Sequence, residues 1–275
     1  MSEKNYVLVE ENEDQTITTI KLNRLEKRNA LNWDVINGLE NAIEEAERSK
    51  TRVIIITGAT DYFSAGIDLN TLAGQDSSGG ERGPDLNTPP HFRYFLNTRF
   101  HPLVVKIGKI EKPFIARIEG FCYGLGFELA LACDFRFCLE NATFSMPEVK
   151  LGLIPDVGGT IRLTRLCGIS HAKDIALTGR VIDGNEAFRM GVVNGIAKDR
   201  EKLDELVKKY SDELIESAPL AVGLGKKLID DIYGKYLEFG LEMEGLVNSQ
   251  LLTSKDFMTG VMARIQKKKP EWQGK

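Results

Sequence analysis

KPFIARIEGFCYGLGFELALACDFRF (Lys112–Phe137) sets the architecture of this chain. Pro113–Ile118 is a short apolar run rich in strand formers, the pattern of a strand buried on both faces. The glycine turn GFCYGLG follows and leads into an apolar helix, Phe127–Cys133. A second strand is expected at Phe135–Cys138 and a third at Thr143–Ser145. A strand, a glycine turn and a buried helix form one unit, and the same order recurs elsewhere without a detectable sequence repeat.

Upstream, Val53–Thr57 (VIIIT) is another buried strand, followed by Gly58 and then FSAGIDL (Phe63–Leu69). Tyr6–Val9 and Ile17–Leu22 read as strands around the polar turn Glu11–Asp14. Val35, Ile36, Leu39 and Ile43 recur at helical spacing up to Lys50, with Asn32 or Asn29 as the cap. Ala73–Pro90 is rich in Gly, Ser, Asp and Pro and reads as a surface loop. A helix is expected from Phe92 to about Ile110. Beyond Gly158 the pattern is mostly helical: Thr160–Leu166, His171–Leu177, Asn185–Met190, Leu203–Ser217, Pro219–Tyr233, Leu237–Leu252 and Lys255–Lys267. The expected organisation is an α/β core over residues 1–197 and a helical C-terminal region over 198–275, with no linker between them.

A chain of 275 residues suffices for one large domain. Its net charge of −4 argues against non-specific nucleic-acid binding, which requires a basic face. The basic run Lys267–Lys269 reads as a solvated helix end. No stretch approaches the roughly 20 apolar residues of a membrane span. The N-terminus MSEKNYVLVEENEDQ lacks an apolar targeting core, so the expected location is cytoplasmic. Cys122, Cys133, Cys138 and Cys167 show neither C-x-x-C nor zinc spacing and read as buried thiols of a reducing compartment; no metal is expected.

Three acids stand among residues that belong in a core: Glu128, Glu148 and Asp156. Burial of a carboxylate is costly unless it is paired, hydrogen-bonded or protonated, so acids beside glycine turns point to proton chemistry. Each also has a structural reading. Glu128 can answer its own helix dipole, Glu148 after Pro147 can be a cap or turn residue, and Asp156 can be the N-cap of the helix near Gly159. The turns AGID (Ala65–Asp68) and GLG (Gly124–Gly126) leave main-chain N–H groups free, and two such groups aimed at one point make an oxyanion hole. G-x-G-x-x-G with its acidic partner, the P-loop pattern and G-x-S-x-G are all absent, so nucleotide binding and serine-triad chemistry are not supported. His91, His101 and His171 read as surface or boundary residues.

Taken together these segments resemble the crotonase (enoyl-CoA hydratase/isomerase) superfamily along nearly the whole chain. The resemblance rests on EKRNALN (Glu26–Asn32), FSAGIDL, Lys112–Phe137, ATFSMPEVKLGLIPDVGGTIRLTRLCG (Ala142–Gly168), LTGRVIDGNEAFRMGVVN (Leu177–Asn194) and GVMARIQKKKPEW (Gly260–Trp272). It implies a spiral of ββα units with a C-terminal helical trimerisation region, assembled as a homotrimer or a hexamer of two trimers. It implies an acyl-CoA thioester substrate, coenzyme A being part of the substrate and no separate cofactor. The amides of Ile67 and Leu125 would hold the thioester oxygen. Lys27, Arg28 and Ala30 would line the CoA moiety, with main-chain contacts near Ala65 and Asp68. Lys267 matches a C-terminal lysine that reaches a neighbouring subunit's CoA, although Arg264 stands where that motif carries an aromatic.

Glu128 and Glu148 match the two glutamates of enoyl-CoA hydratases, which hold one water between them. Asp156 stands eight residues after Glu148, where dienoyl-CoA isomerases carry an acid and where some Δ3,Δ2-enoyl-CoA isomerases also place one. The expected activity is therefore hydration of an enoyl-CoA, with isomerisation through Glu148 and Asp156 as the alternative. A non-catalytic crotonase-fold RNA-binding or scaffolding protein is the distant third, disfavoured by the acidic pI near 5.6 and by the presence of both glutamates.

Overall fold

The structure is a computed structural model and describes residues 5–76 and 89–275. Most of the expected loop Ala73–Pro90 therefore lies outside the described residues. Five strands of the larger sheet run parallel: β2 (Ile17–Leu22), β3 (Val53–Gly58), β4 (Phe114–Ile118), β6 (Phe135–Leu139) and β9 (Gly195–Ala197), in the order β1-β2-β3-β4-β6-β9. The edge strand β1 (Val7–Glu11) pairs antiparallel with β2. A smaller sheet joins β5 (Phe121–Tyr123), β7 (Thr143–Ser145) and β8 (Ile182–Asp183). A single bridge, Ser64 to Cys122, adds the FSAGIDL segment to its edge.

The two sheets explain the repeated units. β3 enters the large sheet, Ser64 touches the small one, and the helix α2 (Leu69–Leu72) follows. β4 and β5 repeat the step before α5 (Leu125–Ala132), and β6 and β7 repeat it before α6 (Gly159–Thr178). This is the crotonase-like ββα architecture that the sequence implied, with helices alone after β9.

Alternation along the strands divides the core. Ile54, Ile56, Ala116 and Ile118 face the main core, where α1 (Trp33–Arg48) packs with Val35, Ile36, Leu39 and Ile43. Val53, Ile55, Ile115 and Phe137 face a second cluster, closed by Leu203 and Val207 of α8 (Arg200–Glu216). Both faces of the sheet are covered, hence the unbroken apolar run at residues 53–56 of β3. Helix α8 thus packs on the sheet, although it follows the change of class at Ala197.

Several elements differ in detail from the periodicity. Asn32, not Asn29, caps α1 through the Val35 amide. Asn29 instead takes a left-handed conformation and bonds Arg24, Tyr62 and Phe63. The expected helix Phe92–Ile110 is three pieces: α3 (Pro89–Phe95), a π-helical turn (Leu96–Phe100) and α4 (His101–Lys109). Pro102, at the start of α4, has no N–H to continue the preceding ladder. The two expected helices Thr160–Leu166 and His171–Leu177 are the halves of α6, broken at Gly168. The remaining helices are α7 (Gly184–Arg189), α9 (Pro219–Ile232), α10 (Leu237–Leu251) and α11 (Lys255–Gln266). Among the described residues no helix is long and apolar enough to cross a membrane.

Candidate active site

The segment Phe63–Asp68 is laced to its surroundings almost completely. Asn29 holds the carbonyls of Tyr62 and Phe63, and Ala65 N–H donates to Arg28. Gly66 N–H donates to Ser64 Oγ, whose hydroxyl donates to the Asn29 carbonyl. Leu31 N–H donates to Gly66, and Asp68 N–H donates to Leu31. In this parallel bridge Ile67 faces Leu31 with its own amide turned away. Among the described residues the Ile67 N–H has no acceptor. Leu125 is the first residue of α5, where an N–H has no helical partner, and its amide is free in the same sense.

The two turns meet. Gly66 has φ +95°, and a Cβ built on it would lie 2.8 Å from the Tyr123 carbonyl oxygen and 3.6 Å from the Gly124 Cα. Tyr123 N–H donates to Ser64, closing the small sheet around the pair. Two free amides on turns in contact, one at a helix N-terminus, form a site for developing negative charge on oxygen.

Glu128, in the first turn of α5, is only 2% exposed. Its Oε1 accepts the N–H groups of Val157 and Gly159, each at 2.8 Å. Burial nevertheless dominates and pushes its carboxyl up to about 8, with the charges of Glu148 and Asp156 adding to the rise against those two hydrogen bonds. Glu148 lies in the 3-10 turn Pro147–Leu151. Its Oε2 is buried with no hydrogen-bond partner among the described residues, and burial raises its pKa, with Asp156 adding to the rise. Glu148 is therefore neither a cap nor an exposed turn residue.

Asp156 does not cap α6. The N-cap is Gly158, which has no side-chain cap, and the acceptor that serves this helix start is the Glu128 carboxylate. Burial raises the Asp156 pKa, and the charge of His101 lowers it.

One cavity of ≈ 110 Å³ collects these groups: Ile67, Leu125, Glu128, Glu148 and Asp156 all line it. Its remaining wall is apolar, with Leu69, Leu72, Phe92, Phe95, Phe100 and Ile154 among the lining residues. A polar corner with two amides and three carboxyls, facing an apolar chamber, matches a carbonyl compound with a hydrocarbon tail.

The expected CoA contacts are placed unevenly. Lys27 and Arg28 are exposed in the turn after β2, beside Ala30, and Ala65 lines the cavity mouth. Asp68 is committed within the protein: its carboxylate pairs with Arg24 at 2.6 Å and caps α2, and its amide goes to Leu31. Main-chain donors at Ala65 and Asp68 are thus already used, which removes them as amide contacts to a ligand. Lys267 ends α11 and is not among the cavity residues; the tail after it folds onto the end of α8 through Trp272 and Glu216.

Two features were not legible as site elements. His101 reaches the main chain of Asp156 across 55 positions, and the helix before it supplies the aromatic wall. The π-helical turn packs Phe100 on Trp33, with Phe95 edge-on to both. Sequence periodicity carries no mark of either contact.

The family model "Enoyl-CoA hydratase/isomerase" matches residues 12–275. The chain belongs to that family, and its fold is the one expected of it. It is 35% identical over 263 residues to "Probable enoyl-CoA hydratase 2, mitochondrial" of Arabidopsis thaliana, covering 95% of this chain and 83% of that one. It is 32% identical over 275 residues to "Delta(3,5)-Delta(2,4)-dienoyl-CoA isomerase, peroxisomal" of the same plant, covering 98% of each. A crystal structure of an enoyl-CoA hydratase from Bacillus anthracis superposes with a TM-score of 0.87 at 30% identity, covering 98% of this chain and 100% of that one.

Proposed function

We propose that this protein hydrates the 2,3 double bond of an enoyl-CoA thioester. The observation that carries the reading is that Glu128 and Glu148 line one cavity with the two free amides of Ile67 and Leu125. The amides take up charge on the thioester oxygen as an enolate forms, and each such donor lowers the barrier by roughly 3–4 kcal/mol. The π bond between Cα and Cβ is lost, the oxygen of water bonds to Cβ, and a proton arrives at Cα. The buried pair retains one proton, which belongs to both groups. Glu148, with its unpaired Oε2, delivers it to Cα; Glu128 orients the water and takes the proton that water loses on bonding to Cβ, which restores the shared proton.

A second reading has its own support. Asp156 lines the same cavity and is free of the helix-cap role. With Glu148 it can move a proton between distant carbons, as a dienoyl-CoA or Δ3,Δ2-enoyl-CoA isomerase requires. Purified protein given crotonyl-CoA and, separately, a 3,5-dienoyl-CoA decides by ultraviolet absorbance. Loss of the enoyl band with crotonyl-CoA supports the hydratase. Turnover of the dienoyl substrate alone overturns it in favour of the isomerase. Binding of RNA without turnover of either overturns both.

We further infer that the chain assembles as a homotrimer, or two stacked trimers, through its C-terminal helices. Leu237 is 72% exposed and Ile265 69% exposed, and α10 buries no residue within the protomer. Large apolar side chains exposed on α10 and α11 call for a partner.

A further inference from the structure

The histidine that opens α4 has no part in the hydratase reading, yet it touches the acid loop directly. His101 Nε2 lies 2.8 Å from the main-chain oxygen of Asp156, and Nδ1 lies 3.0 Å from Asn97 Oδ1. Both neighbours are oxygen acceptors, so a ring nitrogen that carries a proton finds one to donate to on either side. Asn97 belongs to the π-helical turn, one turn before His101. The ring therefore ties this helical segment to the loop between Gly152 and Gly158.

That loop carries Leu153, Ile154, Asp156 and Val157 into the cavity wall. Its far side is held by Glu128, which accepts the Val157 amide, and by Arg162, which donates to the Val157 carbonyl at 3.4 Å. Asp156 thus sits between two anchors, His101 on its own carbonyl and Glu128 on the next amide. The charged groups around it come from four elements: His101 from α4, Glu128 from α5, Glu148 from the 3-10 turn and Arg162 from α6. Of these, His101 is the one whose charge lowers the Asp156 pKa, against the larger effect of burial.

We propose that His101 is a positioning residue for Asp156: it fixes the main chain of the acid loop against the cavity and so sets where the Asp156 carboxyl stands beside the acyl chain. The catalytic consequence rests on the isomerase reading of Asp156; the physical coupling does not.

Two variants separate donor from charge. His101→Gln places an N–H near the position of Nε2 without a charge, and His101→Leu removes both. Aspartate labelled with 13C at the carboxyl carbon reports the Asp156 titration, its resonance identified by loss in Asp156→Asn. The Asp156 midpoint is expected to rise in His101→Gln, because the charge that lowers it is gone. Amide exchange of residues 153–157 is expected to quicken about tenfold in His101→Leu and to be largely restored in His101→Gln. Isomerisation is expected to lose about tenfold in kcat in His101→Leu, with KM within about threefold. Amide exchange of residues 153–157 that is unchanged in His101→Leu overturns the assignment, whatever the enzyme does to a dienoyl-CoA. Absence of isomerisation in the unaltered protein sinks the isomerase reading alone, since amide exchange still decides the role of His101.

Discussion

Glu128 caps the helix that begins at Gly159, its Oε1 accepting the Gly159 N–H at 2.8 Å. The helix start supplies no capping side chain of its own, so a carboxyl from the neighbouring helix answers its dipole. The same carboxyl lines the cavity beside Glu148 and Asp156. One side chain therefore joins the packing of α5 on α6 to the proposed chemistry, and burial outweighs the cap in setting its charge.

This gives a pH signature. The Glu128 carboxyl is raised from 4.5 to about 8, so the folded chain binds a proton that the unfolded chain has released between those values. Stability from this group is full below about pH 4.5 and is lost progressively as pH rises through about 8. Glu128→Gln keeps the Oε1 acceptor and removes the titration. Its melting temperature relative to the unaltered protein is expected to climb between pH 5 and pH 8 and then level off, as read by thermal denaturation across that range.

Glu148→Gln is expected to abolish hydration of crotonyl-CoA, and Asp156→Asn to leave most of it. The opposite ranking, measured by steady-state ultraviolet assay, would falsify the hydratase reading and support Asp156 as the working acid.

Gly66→Ala tests the oxyanion turn. The added methyl would meet the Tyr123 carbonyl at 2.8 Å in a backbone region that alanine disfavours. The turn must shift and carry the Ile67 amide off its aim. kcat is expected to fall about a hundredfold to a thousandfold, with stability reduced by about 1–3 kcal/mol in chemical denaturation.

Phe92 lines the apolar part of the cavity and is half-buried. Phe92→Ala should widen the acyl chamber with little loss of stability. The ratio of kcat/KM for a long-chain enoyl-CoA to that for crotonyl-CoA is expected to rise about tenfold; an unchanged ratio would place the chain elsewhere.

Leu241 on α10 is 56% exposed. Leu241→Asp adds a charge to the surface proposed for assembly, and light scattering is expected to show a smaller species with the helical content retained. A mass unaffected by the change removes α10 from the interface.

Strands Val53–Gly58 and Phe114–Ile118, the buried helix after Gly124 and the helical C-terminal third were readable because each follows from local pattern: runs rich in strand formers, glycine turns and helical spacing. The acids were readable as anomalies of burial, and the amides of Ile67 and Leu125 as products of turn chemistry and resemblance. The sequence could not decide between Asp156 as cap and Asp156 as acid, because that depended on which carboxylate reached the helix start, and Glu128 reaches it from 31 residues away. Nor could it show that Asp68 spends itself on Arg24, or that His101 holds the Asp156 carbonyl. Local pattern determined the elements, since period and turn preference act between near neighbours in the chain, and the resemblance of whole segments pointed to the family. Tertiary structure decided the role of each acid, since hydrogen bonds and desolvation depend on what packs nearby, however distant it is in sequence.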